Sequence, residues 1–95
     1  MQIPIHTVAD LGLALRATRK ASKVRLDDLA DLAGVSKQFV SDVEHGKQTV
    51  QLGLVLRLLT EMGVVLTVDI PSQAETQLAE LRFKATKASD NHKLT

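Results

Sequence analysis

The chain has no cysteine, tryptophan or tyrosine, and only two phenylalanines and two prolines among 95 residues. Without cysteine there is no disulfide framework and no thiolate metal site. With so few aromatics the core must be aliphatic. No uninterrupted apolar stretch approaches the roughly 20 residues of a membrane-spanning helix. Charge of one sign is also missing: twelve Lys and Arg stand against eleven Asp and Glu, for a formal net charge of +1. That excludes nucleic-acid binding by bulk charge alone, so any attraction to phosphate must come from a local patch. The first residues lack a basic region followed by an apolar run, so no secretory signal is expected and a soluble cytoplasmic protein is the expectation. A hydrophobic content of 44% suffices for one small core.

What is present is a series of short helical patterns. Residues 1–6 are apolar and interrupted by Pro4, which suits an arm or edge strand. Thr7 can cap a first helix with Asp10 in its first turn, followed by Val8, Leu11, Ala14, Leu15 and Thr18 at helical spacing. Leu26, Leu29, Ala30 and Ala33 repeat that spacing. Gly34 supplies a left-handed stop and Ser36 caps a third helix, with Val40 and Val43 inward. His45-Gly46-Lys47 ends it. A fourth helix is predicted from Val50 to Met62, with Leu52, Val55, Leu56, Leu59 and Met62 inward, and Gly63 stops it. Residues 7–63 thus form one helical domain.

At Val64 the period changes to two. Val64, Leu66, Val68 and Ile70 alternate with Val65, Thr67 and Asp69, which predicts a strand over 64–71 ended by Pro71. A lone strand needs a partner for its backbone groups. The Ile3–Ile5 arm can supply one edge and a second copy of the chain the other. Residues 72–95 form a polar extension, partly helical or disordered. It has a possible capping box at Ser72 and Glu75 and a thin stripe of Leu78, Leu81 and Ala85, and 88–95 read as a frayed tail.

Leu29 to Lys47 reads as helix, tight turn, helix, the geometry that places the second helix in the major groove of DNA. Catalytic patterns are lacking: His6, His45 and His92 are far apart, with no paired-histidine motif, phosphate loop or nucleophile elbow. Asp27, Asp28 and Asp31 read as a solvated acidic face rather than a metal cluster. No enzyme and no cofactor is expected.

The residues Arg16-x-x-Arg19-Lys20, Leu29-Ala30-x-x-Ala33-Gly34-Val35-Ser36 and Phe39-Val40-Ser41-x-Val43-Glu44-x-Gly46-Lys47 resemble the lambda-repressor-like (Cro/XRE-type) helix-turn-helix domains. With Val50 to Val68 added, the chain is more closely similar to the HipB-type antitoxin regulators. The resemblance implies a mainly α fold of four to five helices plus one C-terminal β-strand pairing across a homodimer, with Val64, Leu66, Val68 and Ile70 as dimerisation residues. It places Ser36, Lys37, Gln38 and Ser41 at the positions that read base edges. Physics agrees: Lys37 can donate to guanine, Gln38 can make a two-point contact to adenine, and Ser41 is short enough for a base or a phosphate. Ser36 is a cap, with or without a phosphate contact. Lys47 is a candidate phosphate contact. Phe39 can touch a thymine methyl, though packing is the favoured reading. The resemblance also implies a structural ion pair of Arg19 with Glu44.

Two departures bear on affinity. Relatives begin helix two with Thr or Ser and then Gln, where this chain has Arg25-Leu26; Arg25 can still reach a phosphate, but the cap is gone. Asp27, Asp28 and Asp42 bring negative charge toward the expected DNA surface, which costs affinity. Weak binding by one copy is therefore expected, strengthened by dimerisation or a partner. The implied function is a dimeric, sequence-specific repressor of a palindromic double-stranded operator, serving as antitoxin to a HipA-like kinase toxin and autoregulator of their operon. Two-fold pairing would set the recognition helices about 34–36 Å apart. The alternatives are a toxin-neutralising interaction module with little DNA binding, using the extension with Arg82, Lys84, Lys87 and Lys93 against Glu75, Glu80 and Asp90, or a stand-alone phage-type or restriction-control repressor.

Overall fold

The computed structural model describes the backbone of residues 1–94 and the side chains of residues 1–87; Thr95 and the side chains of Asp90, His92 and Lys93 lie outside the described set. The elements in order are α1 (Val8–Ala21), α2 (Leu26–Ala33), α3 (Lys37–Glu44), α4 (Leu52–Glu61), a 3-10 turn (Ser72–Ala74) and α5 (Glu75–Leu94).

The helix starts follow from side-chain chemistry. At α1 the Thr7 hydroxyl accepts from the Asp10 N–H at 3.1 Å, and the Asp10 carboxylate accepts from the Thr7 N–H at 3.1 Å and the His6 N–H at 3.0 Å. This is a complete capping box. These bonds, His6's first, hold the Asp10 carboxyl below its ordinary pKa.

The stops share one backbone pattern, used four times. After α2 the N–H groups of Gly34 and Val35 donate to Asp31 and Ala30 at 3.3 and 3.0 Å; after α3 those of Gly46 and Lys47 donate to Val43 and Asp42 at 3.1 and 3.0 Å. After α4, Gly63 and Val64 donate to Thr60 and Leu59 at 3.1 and 2.8 Å, and after α1, Lys23 and Val24 donate to Lys20 and Arg19 at 3.0 and 3.1 Å. Each is a Schellman motif, which needs a left-handed residue just past the helix. Glycine fills that place at Gly34, Gly46 and Gly63; after α1 it is Lys23, with φ 57°. Val24, Val35 and Val64, each next after the left-handed residue, fold back to pack on the core.

α1 packs on α3, α3 on α2, and α2 on α4. Leu15, Leu29, Ala30, Ala33, Val40, Val43, Val55, Leu58 and Leu59 close the core. Two of the expected inward residues of α4 face out: Leu52 is 62% and Leu56 42% exposed, while Leu58 is fully buried. The run Leu52 to Leu59 is almost wholly apolar, so its period does not select a face. α1 approaches α3 so closely at Gly12 that a Cβ there would fall on the Val43 carbonyl oxygen and come within 2.9 Å of the Glu44 oxygen.

The expected strand is not formed. Val64, Leu66, Val68 and Ile70 lie in a segment without regular secondary structure, and no ladder joins it to the Ile3–Ile5 arm. The physical reason is that a strand exists only through a hydrogen-bonded neighbour, and one chain offers none. Val64 instead completes the α4 stop, while Val65 and Val68 are 82% and 78% exposed.

The Ser72–Glu75 capping box is also absent, because Ser72 lies inside the 3-10 turn with Pro71 before it. α5 then continues to Leu94, through most of the stretch expected to fray. It continues directly from the 3-10 turn, and its side chains from Leu81 to Lys87 are exposed. The radius of gyration, 16.6 Å, exceeds the about 12 Å of a compact chain of this length, as a projecting helix requires. Among the described residues no helix is long and apolar enough to cross a membrane.

Two substitutions test the backbone reading. Gly12→Ala should destabilise despite alanine's better helix propensity, because the backbone carbonyl it meets cannot move aside. Lys23→Gly should stabilise by about 1 kcal/mol by relieving the left-handed lysine. Urea midpoints read both, and an unchanged Gly12→Ala midpoint would remove the close approach.

Candidate nucleic-acid interface

The candidate surface starts at a turn. Gly34, with φ 68°, reverses the chain after α2, and the Ser36 hydroxyl accepts from the Phe39 N–H at 3.0 Å to start α3. Val40 and Val43 then face the core, which leaves Lys37 and Gln38 exposed and Ser41 half-buried on the outer side. The Ser41 hydroxyl lies 3.4 Å from His45 Nδ1, which is itself 2.7 Å from the Ser41 carbonyl oxygen. Phe39 is half-buried and packs against the core. With Ser36, Asp42, Lys47, Thr49 and Gln51 it also lines a shallow concavity of ~360 Å³ between α3 and the start of α4.

Around α3 the charges are paired. Lys37 Nζ is 3.1 Å from Asp27 Oδ2, and Arg25 Nη2 is 3.7 Å from the same oxygen. Gln38 Nε2 donates to Asp42 Oδ1 at 2.8 Å, and Lys47 Nζ is 3.5 Å from Asp42 Oδ2. Arg25 gives α2 no side-chain cap, so N–H groups at that helix start stay available to an anion.

Behind the surface lies the buried ion pair. Arg19 Nε and Nη2 donate to Glu44 Oε2 and Oε1 at 2.6 and 2.9 Å, and Arg19 Nη1 donates to the Val24 carbonyl at 3.1 Å. The side chains are 12% and 1% exposed. Hydrogen bonding to Glu44 raises the Arg19 pKa further, so the guanidinium stays charged.

Three contributors are not evident from the sequence pattern. Arg57 on α4 donates to the Ala33 carbonyl at 3.3 Å, capping the end of α2. Thr49 and Gln51 line the concavity, and a fourth helix starting at Val50 gives them no such place. Asp27 and Asp42 look in sequence like charge opposing phosphate, whereas each holds two donors in place. Among the described residues no cluster of His, Asp and Glu is suited to a metal ion.

Comparison with known proteins gives the same outline. Residues 10–66 match the model of a helix-turn-helix domain. Over 69 residues the chain is 41% identical to an uncharacterized HTH-type transcriptional regulator, y4mF, of Sinorhizobium fredii (strain NBRC 101917 / NGR234), covering 73% of this chain and 91% of that protein. Among solved structures, a chain of the HipA-HipB-O2-O3 complex matches with a TM-score of 0.68 and 17% identity over 75% of this chain and 100% of its own. The restriction-modification controller protein C.AhdI from Aeromonas hydrophila matches with a TM-score of 0.55 and 31% identity over 61% of this chain and 88% of its own.

Arg19→Met strands the Glu44 carboxylate in the interior and should cost about 3–5 kcal/mol. Adding Glu44→Leu should restore most of that, because two apolar side chains leave no buried charge. Equal instability of the single and double variants in urea unfolding would show that the pair is not the source of the effect.

Proposed function

Because the chain belongs to the helix-turn-helix domain family of DNA-binding transcription regulators, we propose that it is a sequence-specific repressor acting as a homodimer on a palindromic operator. The observation that carries this reading is the outer face of α3. Lys37 and Gln38 stand exposed at the start of a capped helix whose opposite face is buried, where a helix entering the major groove carries its base contacts. Ser41 extends that face one turn on. Ser36, Lys47 and Arg25 flank it as phosphate contacts.

The homodimer rests on the segment after α4. Leu66 and Ile70 are exposed with Val65 and Val68, and Leu66 borders a concavity of ~450 Å³ with Leu56, Leu59 and Thr60. An apolar segment with free backbone groups is suited to strand pairing with its own copy. In that assembly 64–71 become the dimerisation strand, 1–6 an arm and 72–95 an extension.

Within this function we favour an antitoxin that represses its own operon and neutralises a HipA-like kinase. Support comes from the fold shared with a chain of the HipA-HipB-O2-O3 complex and from α5, which the four-helix unit does not need. The higher identity to C.AhdI, 31%, favours a second reading, a stand-alone controller without a toxin. A neighbouring reading frame for a kinase-fold protein, and its co-purification, separates the two.

The test uses the duplex that the protein enriches from a random library. Lys37→Ala with Gln38→Ala should weaken binding at least about tenfold and lower the salt slope by about 1; unchanged affinity would remove α3 as the reading element. Leu66→Lys with Ile70→Lys should give a folded monomer by light scattering. A persistent dimer would move the interface elsewhere.

A further inference from the structure

Every long donor side chain assigned to the DNA surface is already held by one of two carboxylates. Asp42 spans α3: its Oδ1 takes Gln38 Nε2 at 2.8 Å, one turn back, and its Oδ2 faces Lys47 Nζ at 3.5 Å, beyond the helix end. The Lys47 N–H also bonds the Asp42 carbonyl at 3.0 Å, so the backbone stop keeps Lys47 near that carboxylate. Asp27 Oδ2 is shared between Lys37 at 3.1 Å and Arg25 at 3.7 Å, joining the starts of α2 and α3.

Helix stability does not account for Asp42. It stands in the last turn of α3, where the helix dipole disfavours negative charge, and near the expected path of phosphates. Its contacts suggest another role. An amide has two N–H donors and one carbonyl acceptor. With one N–H given to Asp42, the Gln38 carbonyl and its second N–H remain for a single base edge. Turning the amide over would aim its oxygen at the carboxylate. The orientation left is the donor–acceptor pair that adenine accepts.

We propose that Asp42 and Asp27 are specificity-determining positioning residues of this interface. Asp42 fixes the amide orientation of Gln38. The two carboxylates together hold Arg25, Lys37 and Lys47, so that phosphate charge alone recruits them poorly. Sequence-independent binding draws on free cations; here those cations are neutralised locally and are released where a matching base edge offers a replacement. This rests on the DNA-reading function proposed above.

Three variants divide the two effects. Asp42→Asn removes the charge and offers Gln38 a donor as well as an acceptor, so it no longer selects the amide orientation; Asp42→Ala removes charge and partner alike, and Asp27→Asn removes charge alone at the other site. Affinities are measured by fluorescence titration over a range of salt. The probes are the duplex enriched by the wild-type protein, single-base variants of it, and an unrelated duplex. Both Asn variants should bind the unrelated duplex about tenfold more tightly, with salt slopes steeper by about 1 per charge removed, and Asp27→Asn should keep the wild-type base preference. Asp42→Ala should show the same tighter binding and, like Asp42→Asn, lose discrimination at the base pair read by Gln38. In a Gln38→Ala background it should change that discrimination no further. Full discrimination by Asp42→Ala, or unchanged salt slopes in the Asn variants, overturns the proposal alone. A wild-type protein that enriches no duplex overturns the DNA-reading function and the proposal with it.

Discussion

The placement of α3 depends on one buried ion pair. Arg19, near the end of α1, grips both oxygens of Glu44, near the end of α3, and its third bond ties the chain leading into α2. A single guanidinium thus joins three parts of the chain that an aliphatic core would hold only by shape. Hydrophobic contact has no direction, whereas a bidentate Arg–carboxylate pair has one geometry. Such a pair is weak evidence of net stability, because desolvation opposes its attraction. Its consequence here is register: α3 cannot rotate about its axis without separating Glu44 from Arg19, and rotation is what would misdirect Lys37 and Gln38. Gly12 makes the same contact from the backbone side, letting α1 lie against the α3 carbonyls at Val43 and Glu44.

Outside that pair the charges form a second, exposed layer with a different energetic character. Exposed ion pairs are worth about 0–1 kcal/mol each and weaken with salt, so the Asp27 and Asp42 contacts contribute little to folding. They act on what the surface offers to a ligand. A net charge of +1 with local pairing sets the electrostatic contribution low, and in the proposed function discrimination would then come from hydrogen-bond geometry on the outer face of α3.

Much of this is legible in the residues because capping is local chemistry. Thr7 with Asp10, Gly34 and Ser36 specify where helices start and stop through atoms at most a few positions apart. The spacing of Leu29, Ala30, Ala33, Val40 and Val43 selects the buried faces for the same reason. Apart from the Ser72 cap, which the neighbouring Pro71 and 3-10 turn displace, the differences share one cause: the deciding partner is remote. The facing of Leu52 and Leu56 is decided by how α4 seats against α2, and an almost continuous apolar run carries no phase. Gly12 does carry a signal, since glycine inside a helix costs about 1 kcal/mol and implies a close approach. Lys23 carries none, because lysine is not a residue that favours left-handed backbone. The interface acids are locatable in sequence, but their partners lie one helical turn or one helix away, and only packing brings them together.

The segment 64–70 is the extreme case of a property that one copy of a chain cannot express. Alternation of Val64, Leu66, Val68 and Ile70 is information about a surface, and a strand is a relation between two backbones. The helical unit is complete at Val64, whose N–H closes the α4 stop at 2.8 Å from the Leu59 oxygen. Residues 65–70 have no role in that core, yet they are largely apolar. Exposed apolar side chains beside unpaired backbone groups are a standing liability for a folded protein, and the segment has no charge but Asp69 to blunt it. In the homodimer proposed above, a second copy would remove that liability and double the number of α3 faces presented to a duplex. The second face would then bind at the effective concentration set by the first. For a surface whose cations are already engaged by its own carboxylates, that gain is the more selective route to tight binding, because it adds affinity without adding charge that every sequence would attract.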